Sequence, residues 1–383
     1  MGVLLKFFSH KRLKLLRSEF LPTQNNTTTY ISTYYKIHLN SYSTNKASAI
    51  RPKIIYFVTY FSLLNRVSAR NLDSLKKNMR RKFQAYEVMH IYQRTVSGFN
   101  IFYSAEDFLV FYTIISVYAR RYDIVLLGLC QMIDHIHLLG SSCKLSSMSC
   151  FISASLSQFV QEFNRKTGRK GKLFEKEYGS AIKKETKKIR SAIAYLFNNP
   201  VEKRLCSRAE EYRWNYLKYY KELPLKSFRQ CSSRLRKSIR IVQERFRNNQ
   251  YLKYNLIDKI FNGLDKEERE YLIDFIIKLY FPFDVKKVIS YYRSYEDMLI
   301  AVNSNTGNEH DIHEHYYGRT DVAYKEIMKF LKNSGLTDLK TVITMSMEEK
   351  RKLASILKSR TSATYTQIHK FLHLEQKQLT DTH

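Results

Sequence analysis

The chain has 383 residues, 44% of them hydrophobic and 14% aromatic, and its 65 Lys plus Arg against 35 Asp plus Glu leave a net charge of +30. That length gives room for two or three domains with a buried core, and so basic a surface attracts polyphosphate, because each neutralised phosphate releases condensed counterions. Five cysteines with no C-x-x-C pair argue against a disulfide framework or a thiolate zinc site and fit a reducing cytosol, while the longest apolar run, "IIYFVTYFSLL" at 54–64, is too short to span a bilayer.

The opening "MGVLLKFFSHKRLKLLRSEF" is basic and amphipathic without a long apolar region or a small-residue cleavage site, so no secretory signal is expected. Residues 1–80 are rich in Thr, Ser, Asn and Tyr without a sustained period. They read either as a poorly ordered basic extension or as upstream sequence, with translation starting near Met79. From Lys82 the pattern sharpens. "KFQAYEVMHIYQRTV" alternates Tyr86, Val88, His90 and Tyr92 against Glu87, Met89 and Ile91, which predicts a strand. "SAEDFLVFYTIISVYARRY" predicts a helix with Ser104 as N-cap and Asp107 at its third position. "DIVLLGLCQM" and "HIHLLG" read as a hairpin with a tight link at Ile133-Asp134, and "MSCFISASLSQFVQEFNRKTG" as a helix that Gly168 stops. "KLFEKEYGSAIKK" suits a strand pair or an extended edge, and "ETKKIRSAIAYLFNNP" a helix that Pro200 ends. This order of strand, helix, hairpin, helix, strand and helix implies an α+β unit with an antiparallel sheet.

Beyond "EEYRWNYLKYY" the chain turns helical and basic. "KSFRQCSSRLRKSIRIVQERFRNNQ" reads as a charged connector with a DNA-facing stripe, and "EREYLIDFIIKLY" and "AYKEIMKFLKNSG" as amphipathic helices. In the last forty residues, "SMEEKRKLASILKSR" opens with Ser346 and Glu349 in capping-box spacing, and "TSATYTQIHKFLHL" follows with Ile368, Phe371 and Leu372 on one side. The pair suggests a helix-turn-helix in which Thr364 caps the second helix. Thr366, Gln367 and Lys370 would then lie on its exposed face, Gln367 reading an adenine edge and Lys370 a phosphate or guanine. The other reading of that helix is a packing element over its neighbours. The division that follows is 1–80, 81–222, 223–340 as a helical extension and 341–383 as a DNA-binding tail.

Chemistry concentrates in "MIDHIHLLG". On a strand, residues i and i+2 share a face, so His135 and His137 stand side by side while Ile136 and Leu138 face the core. Two neutral imidazoles can hold a divalent cation if a third ligand arrives from elsewhere. The alternative is a hairpin with two exposed histidines. "HEH" at 313–315 puts Glu314 on the would-be buried face within a polar loop, although His310, His313 and His315 could form a separate site. Downstream, Tyr195 and Asn199 are i and i+4 on one helix face. If that face covers the histidines, a carboxamide could complete a metal shell and a phenol could act as nucleophile. Ordinary helix packing is the other reading.

Five ordered motifs over about 135 residues carry a resemblance: "MIDHIHLLG", "SQFVQEFNRKTG", "GKLFEKEYGS", "YLFNNPV" and "EEYRWNYLKYY". The region from about Phe83 to Tyr216 resembles the single-tyrosine HUH transposases, the insertion-sequence-200-like family and the REP-associated tyrosine transposases. One departure is Ile133, where the family often has proline. The resemblance implies a ferredoxin-like HUH nuclease sheet flanked by helices, with His135, His137 and Asn199 as ligands of Mg²⁺ or Mn²⁺ and Tyr195 as nucleophile. It also implies cleavage and rejoining of single-stranded, hairpin-forming DNA through a 5′-phosphotyrosine, carried out by a homodimer. Duplex DNA is expected on the C-terminal tail, no membrane partner is expected, and the setting is a bacterial cytoplasm at the nucleoid. A domesticated, catalytically silent DNA-binding protein is the main alternative. A relaxase or replication initiator has less support, because the chain contains no G-x-x-x-x-G-K-[ST] loop, and a nucleobase deaminase would need H-x-E with P-C-x-x-C.

Overall fold

The strand alternation read from the sequence becomes a four-stranded antiparallel sheet in the computed structural model, which describes residues 83–221, 231–304 and 320–374. Strands β1 (Val88–Arg94), β2 (Val125–Gln131), β3 (His135–Ser141) and β4 (Gly179–Lys183) are ordered β2-β3-β1-β4. β2 and β3 form the expected hairpin, closed by Met132 N–H donating to His135 O at 2.9 Å. In register, Tyr92 faces His137, Arg94 faces His135 and Ile91 faces Leu138. Because opposed residues share a face, one side of the sheet carries Met89, Ile91, Ile136 and Leu138, and the other carries His90, Tyr92, His135 and His137. The segment "KLFEKEYGSAIKK" contributes one edge strand, β4, and an isolated bridge between Thr95 and Phe174.

Helix α1 (Ala105–Arg121) starts at Ser104 with a capping box to Asp107, and every residue from Asp107 to Ala119 is buried. A helix apolar nearly all round must be covered on every side. Its first turns lie on the aliphatic face of the sheet, where Gln131 donates to Phe108 O at 3.2 Å. Helix α2 (Leu145–Thr167) packs along α1 through Phe159 against Phe102 and Phe111, and ends at Gly168 with φ +72°. Helix α3 (Thr186–Glu202) covers the histidine face. Pro200 lies inside α3, which continues to Glu202, contrary to the expected end at Pro200. A proline removes the bond to the carbonyl four residues back, here Leu196, and crowds that carbonyl, but so close to a helix end the remaining residues can stay helical.

The C-terminal helices are α4 (Ser233–Arg247), α5 (Tyr254–Phe261), α6 (Lys266–Leu279), α7 (Val285–Ile289), α8 (Tyr295–Asn303), α9 (Val322–Asn333), α10 (Met347–Arg360) and α11 (Tyr365–Leu372). They complete the cover of α1: Tyr112 Oη donates to Ile277 O at 2.9 Å, and Ser116 Oγ donates to Tyr280 O. At the start of α1, Asp107 is fully buried and accepts from Tyr103 N, Ser104 N and Tyr254 Oη at 2.8–2.9 Å. Lys340 Nζ, from a 3-10 turn at Leu339–Ile343, lies 3.3 Å from Asp107. Burial would lower the Lys340 pKa, but Asp107 and then Asp338 outweigh it and hold the ammonium protonated. The described residues from 83 onward fall within one compact unit. Residues 1–80 and His310, His313 and His315 lie outside the described residues.

The expected helix-turn-helix is also modified. α10 and α11 have the capping boxes read from sequence, at Ser346 with Glu349 and at Thr364 with Gln367. Gln367, however, is not on an exposed face: it is 7% exposed and its amide donates to Thr320 O at 2.8 Å. Its place in the capping box turns the side chain back toward the start of the helix, with Thr364 N donating to it at 3.0 Å. The rest of α11 docks on the β1–α1 connection, where Tyr103 Oη donates to Phe371 O and Asn100 N to Lys370 O. Thr366 is exposed and Lys370 is half-buried.

Lys340→Met would leave the buried Asp107 carboxylate without its cation, a change expected to cost about 3–5 kcal/mol in chemical denaturation. A loss below about 1 kcal/mol, the range of an exposed ion pair, would contradict the role given to this pair.

Candidate functional site beneath helix α3

Because α3 lies over this face of the sheet, the histidines of β3 are covered instead of facing solvent: His135 is 8% exposed and His137 is fully buried. Their ring centroids are 5.1 Å apart. A third histidine joins them from β1. His90 is fully buried, and its Nε2 lies 3.1 Å from His137 Nδ1, a diagonal contact across the β1–β3 ladder. Spacing did not single out His90, because a register between residues 47 apart is not written in local sequence. The available signal was its place in phase with Tyr92 on the alternating strand.

α3 reaches this face closely because position 128 of β2 has no side chain. A Cβ on Gly128 would lie 3.2 Å from the Phe197 ring and 3.3 Å from Leu196. With the helix seated, the Tyr195 ring stands edge-on to His137 at 5.5 Å between centroids and to His90 at 5.8 Å. Tyr195 is 5% exposed, and Asn199, one turn further, is 1% exposed. The Asn199 Nδ2 is buried with no hydrogen-bond partner among the described residues.

A ring of charge surrounds His135. Its Nδ1 lies 2.6 Å from Asp134 Oδ1, and Lys370 Nζ of α11 lies 3.6 Å from Asp134 Oδ2. Burial would raise the Asp134 pKa, but the His135 bond and charge, then Lys370 and Lys203, hold it well below the ordinary carboxylate range. Asp321, which precedes α9, is pushed up by burial and then by the nearby Asp134 charge. Its backbone N–H donates to Lys203 O at 3.1 Å, tying α9 to the end of α3. Asp321, Lys203 and Lys370 are thus further members of the neighbourhood, brought in from up to 236 positions beyond Asp134 by tertiary packing.

By chemical type, two imidazoles and a carboxamide are donors that a small divalent cation could take. In His135 and His137 the Nδ1 atoms face Asp134 and His90, so Nε2 is the nitrogen suited to a metal. Asn199, buried one turn beyond Tyr195, carries a carboxamide oxygen of the type that could add a third donor, although the atom left without a partner is its Nδ2. Among the described residues no group of three or more His, Cys, Asp or Glu could hold a metal ion. A cation here would therefore rely on two imidazoles, a carboxamide and oxygens of water or substrate. Of the other residues singled out from sequence, Thr364 caps α11, Gln367 is buried, Thr366 points to solvent, and Lys370 faces Asp134.

No family model matches the chain, and no curated protein matches it. Among solved structures it is similar to a REP-associated tyrosine transposase bound to a REP hairpin, with 13% identity and a TM-score of 0.30. The alignment covers 36% of this chain and 80% of that one. No helix among the described residues is long and apolar enough to cross a membrane.

Gly128→Val would force Leu196 and Phe197 outward and lift α3 from the histidines. Overpacking of this kind is expected to cost about 1–3 kcal/mol in chemical denaturation, and unchanged stability would show that α3 does not depend on close approach at this position.

Proposed function

We propose that the chain cuts and rejoins single-stranded DNA by transesterification, with Tyr195 as the nucleophile and His135, His137 and Asn199 as the holders of a divalent cation, Mg²⁺ or Mn²⁺. The observation that carries this reading is the seating of Tyr195 edge-on against His137 and His90 on the covered face of the sheet. The five ordered sequence motifs and the net charge of +30 support a DNA substrate. A phenol with an ordinary pKa of about 10 is a weak nucleophile at neutral pH. A bound divalent cation would supply the missing activation by polarising a phosphate oxygen.

In the step itself the Tyr195 oxygen bonds to phosphorus and the bond from phosphorus to the 3′ oxygen breaks. The phenolic proton ends on that leaving oxygen, giving a 5′-phosphotyrosine and a free 3′-OH. One phosphodiester replaces another, so attack by a different 3′-OH rejoins strands without an outside energy source. His135 and His137 keep their rings fixed through Asp134 and His90, and α3 holds Tyr195 in line with them. Lys370, half-buried beside Asp134, stands where it can meet a DNA phosphate at the rim. A hairpin-forming substrate and a homodimer belong to the same proposal.

The test uses the full chain, a 3′-labelled single-stranded hairpin oligonucleotide, and Mg²⁺ or Mn²⁺. Wild-type protein is expected to cleave it and to retain a covalent adduct, and chelation of the metal is expected to stop both. Tyr195→Phe removes one hydroxyl and should lower cleavage at least about 10³-fold with DNA affinity nearly unchanged. Wild-type adduct yield in this variant would move the nucleophile to another tyrosine. Tight binding without any wild-type cleavage would favour the catalytically silent DNA-binding protein.

A further inference from the structure

We propose that His90 sets the tautomer of His137, accepting the His137 Nδ1–H on its own Nε2 and so presenting His137 Nε2 as a lone pair toward the site. The proposal deepens the metal-site reading above and rests on it for its purpose, although the tautomer itself can be read without metal. A neutral imidazole has one N–H donor and one acceptor nitrogen, and a proton on one excludes a metal there. The 3.1 Å contact between His90 Nε2 and His137 Nδ1 leaves two neutral arrangements. Either His137 donates from Nδ1, or His90 donates from Nε2 and the His137 proton sits on Nε2. Both rings are fully buried, so neither can exchange this bond for one to bulk water.

Of the two, only the first lets His137 serve a cation together with His135. His135 Nδ1 faces Asp134 at 2.6 Å, and a carboxylate can only accept, so His135 carries its proton on Nδ1. The two adjacent rings share one strand face, and the same tautomer in both turns both Nε2 atoms into donors for a common cation. The two supports differ because their surroundings differ. The Asp134 side chain is 22% exposed with Lys370 at 3.6 Å, so a charge is tolerated there. Position 90 is fully buried, where a carboxylate would be far costlier than a neutral acceptor. His90 is thus a positioning residue for His137, and its ring also packs against Tyr195 at 5.8 Å.

The experiment compares the full-length wild type with His90→Gln and His90→Leu. Two-bond ¹H–¹⁵N spectra of ¹⁵N-histidine protein without metal report the tautomers, and titration calorimetry with Mn²⁺ reports affinity. Wild-type His137 is expected as the Nδ1–H form. The Gln oxygen of His90→Gln can still accept, so this variant should keep that tautomer and most of the Mn²⁺ affinity. His90→Leu offers no acceptor and should lose the tautomer and about 10–100-fold in Mn²⁺ affinity. Wild-type His137 in the Nε2–H form overturns the proposal, and that spectrum decides the matter even if His90→Leu does not fold. An unchanged tautomer and affinity in a folded His90→Leu also overturns it. The Nδ1–H form in a wild type that binds no Mn²⁺ would support the role of His90 while defeating the metal-site reading.

Discussion

Three imidazoles lie out of water between a sheet and one helix, and much of the molecule is arranged to permit this. A buried polar group without a partner costs about 1–3 kcal/mol, so each ring is matched: His135 by Asp134, and His90 and His137 by each other. Covering them needs α3 to approach the sheet closely, which Gly128 allows. Holding Asp134 ionised next to buried rings needs cations, which Lys203 and Lys370 supply from α3 and α11. Lys370 is in place only because α11 docks on the β1–α1 connection. The C-terminal helices are in turn fixed to α1 through Asp107, Tyr254 and Lys340. The site is therefore built from described residues far apart in the chain, with the sheet supplying the histidines and the distant helices supplying the electrostatics.

What local sequence could reveal follows from this division. Alternation on β1 and β3, the Ser104 cap and the Gly168 stop are properties of neighbouring residues, and they read through to the structure. His135 with His137, and Tyr195 with Asn199, could be paired from sequence because each pair sits at a strand or helix repeat within one element. His90 was not, because its partner is set by the register of β1 against β3. Asp321 and Lys370 were not, because packing of elements far along the chain brings them to Asp134. Gln367 misled because it has two uses: a glutamine three places after a threonine can close a cap or face a groove, and here it closes the cap and bonds Thr320. A pair of short polar helices has the same pattern whether it stands free or docks on a body.

Burial also imposes a condition on any reaction at this place. Tyr195 at 5% exposure and Asn199 at 1% leave little room for a phosphodiester beside them. Entry of the proposed substrate would require a local opening, and the end of α3 carries a feature that bears on it. Pro200 gives no N–H to the Leu196 carbonyl, so that turn has already lost one helical bond. The turn is held instead by Lys203 N bonding Asn199 O and by Asp321 N bonding Lys203 O. An opening of a few residues at a helix end is the kind of low-energy fluctuation from which binding motions are drawn.

The central claim is that one tyrosine on α3 becomes joined to DNA over the histidine face. Its most direct measurement is the identity of the peptide that carries the DNA after full-length protein is incubated with a single-stranded hairpin and Mn²⁺, digested with trypsin and analysed by tandem mass spectrometry. The account predicts a nucleotide remnant on "SAIAYLFNNPVEK", residues 191–203, where Tyr195 is the single tyrosine. A remnant on any other peptide, or cleaved DNA with no peptide attached, would contradict it.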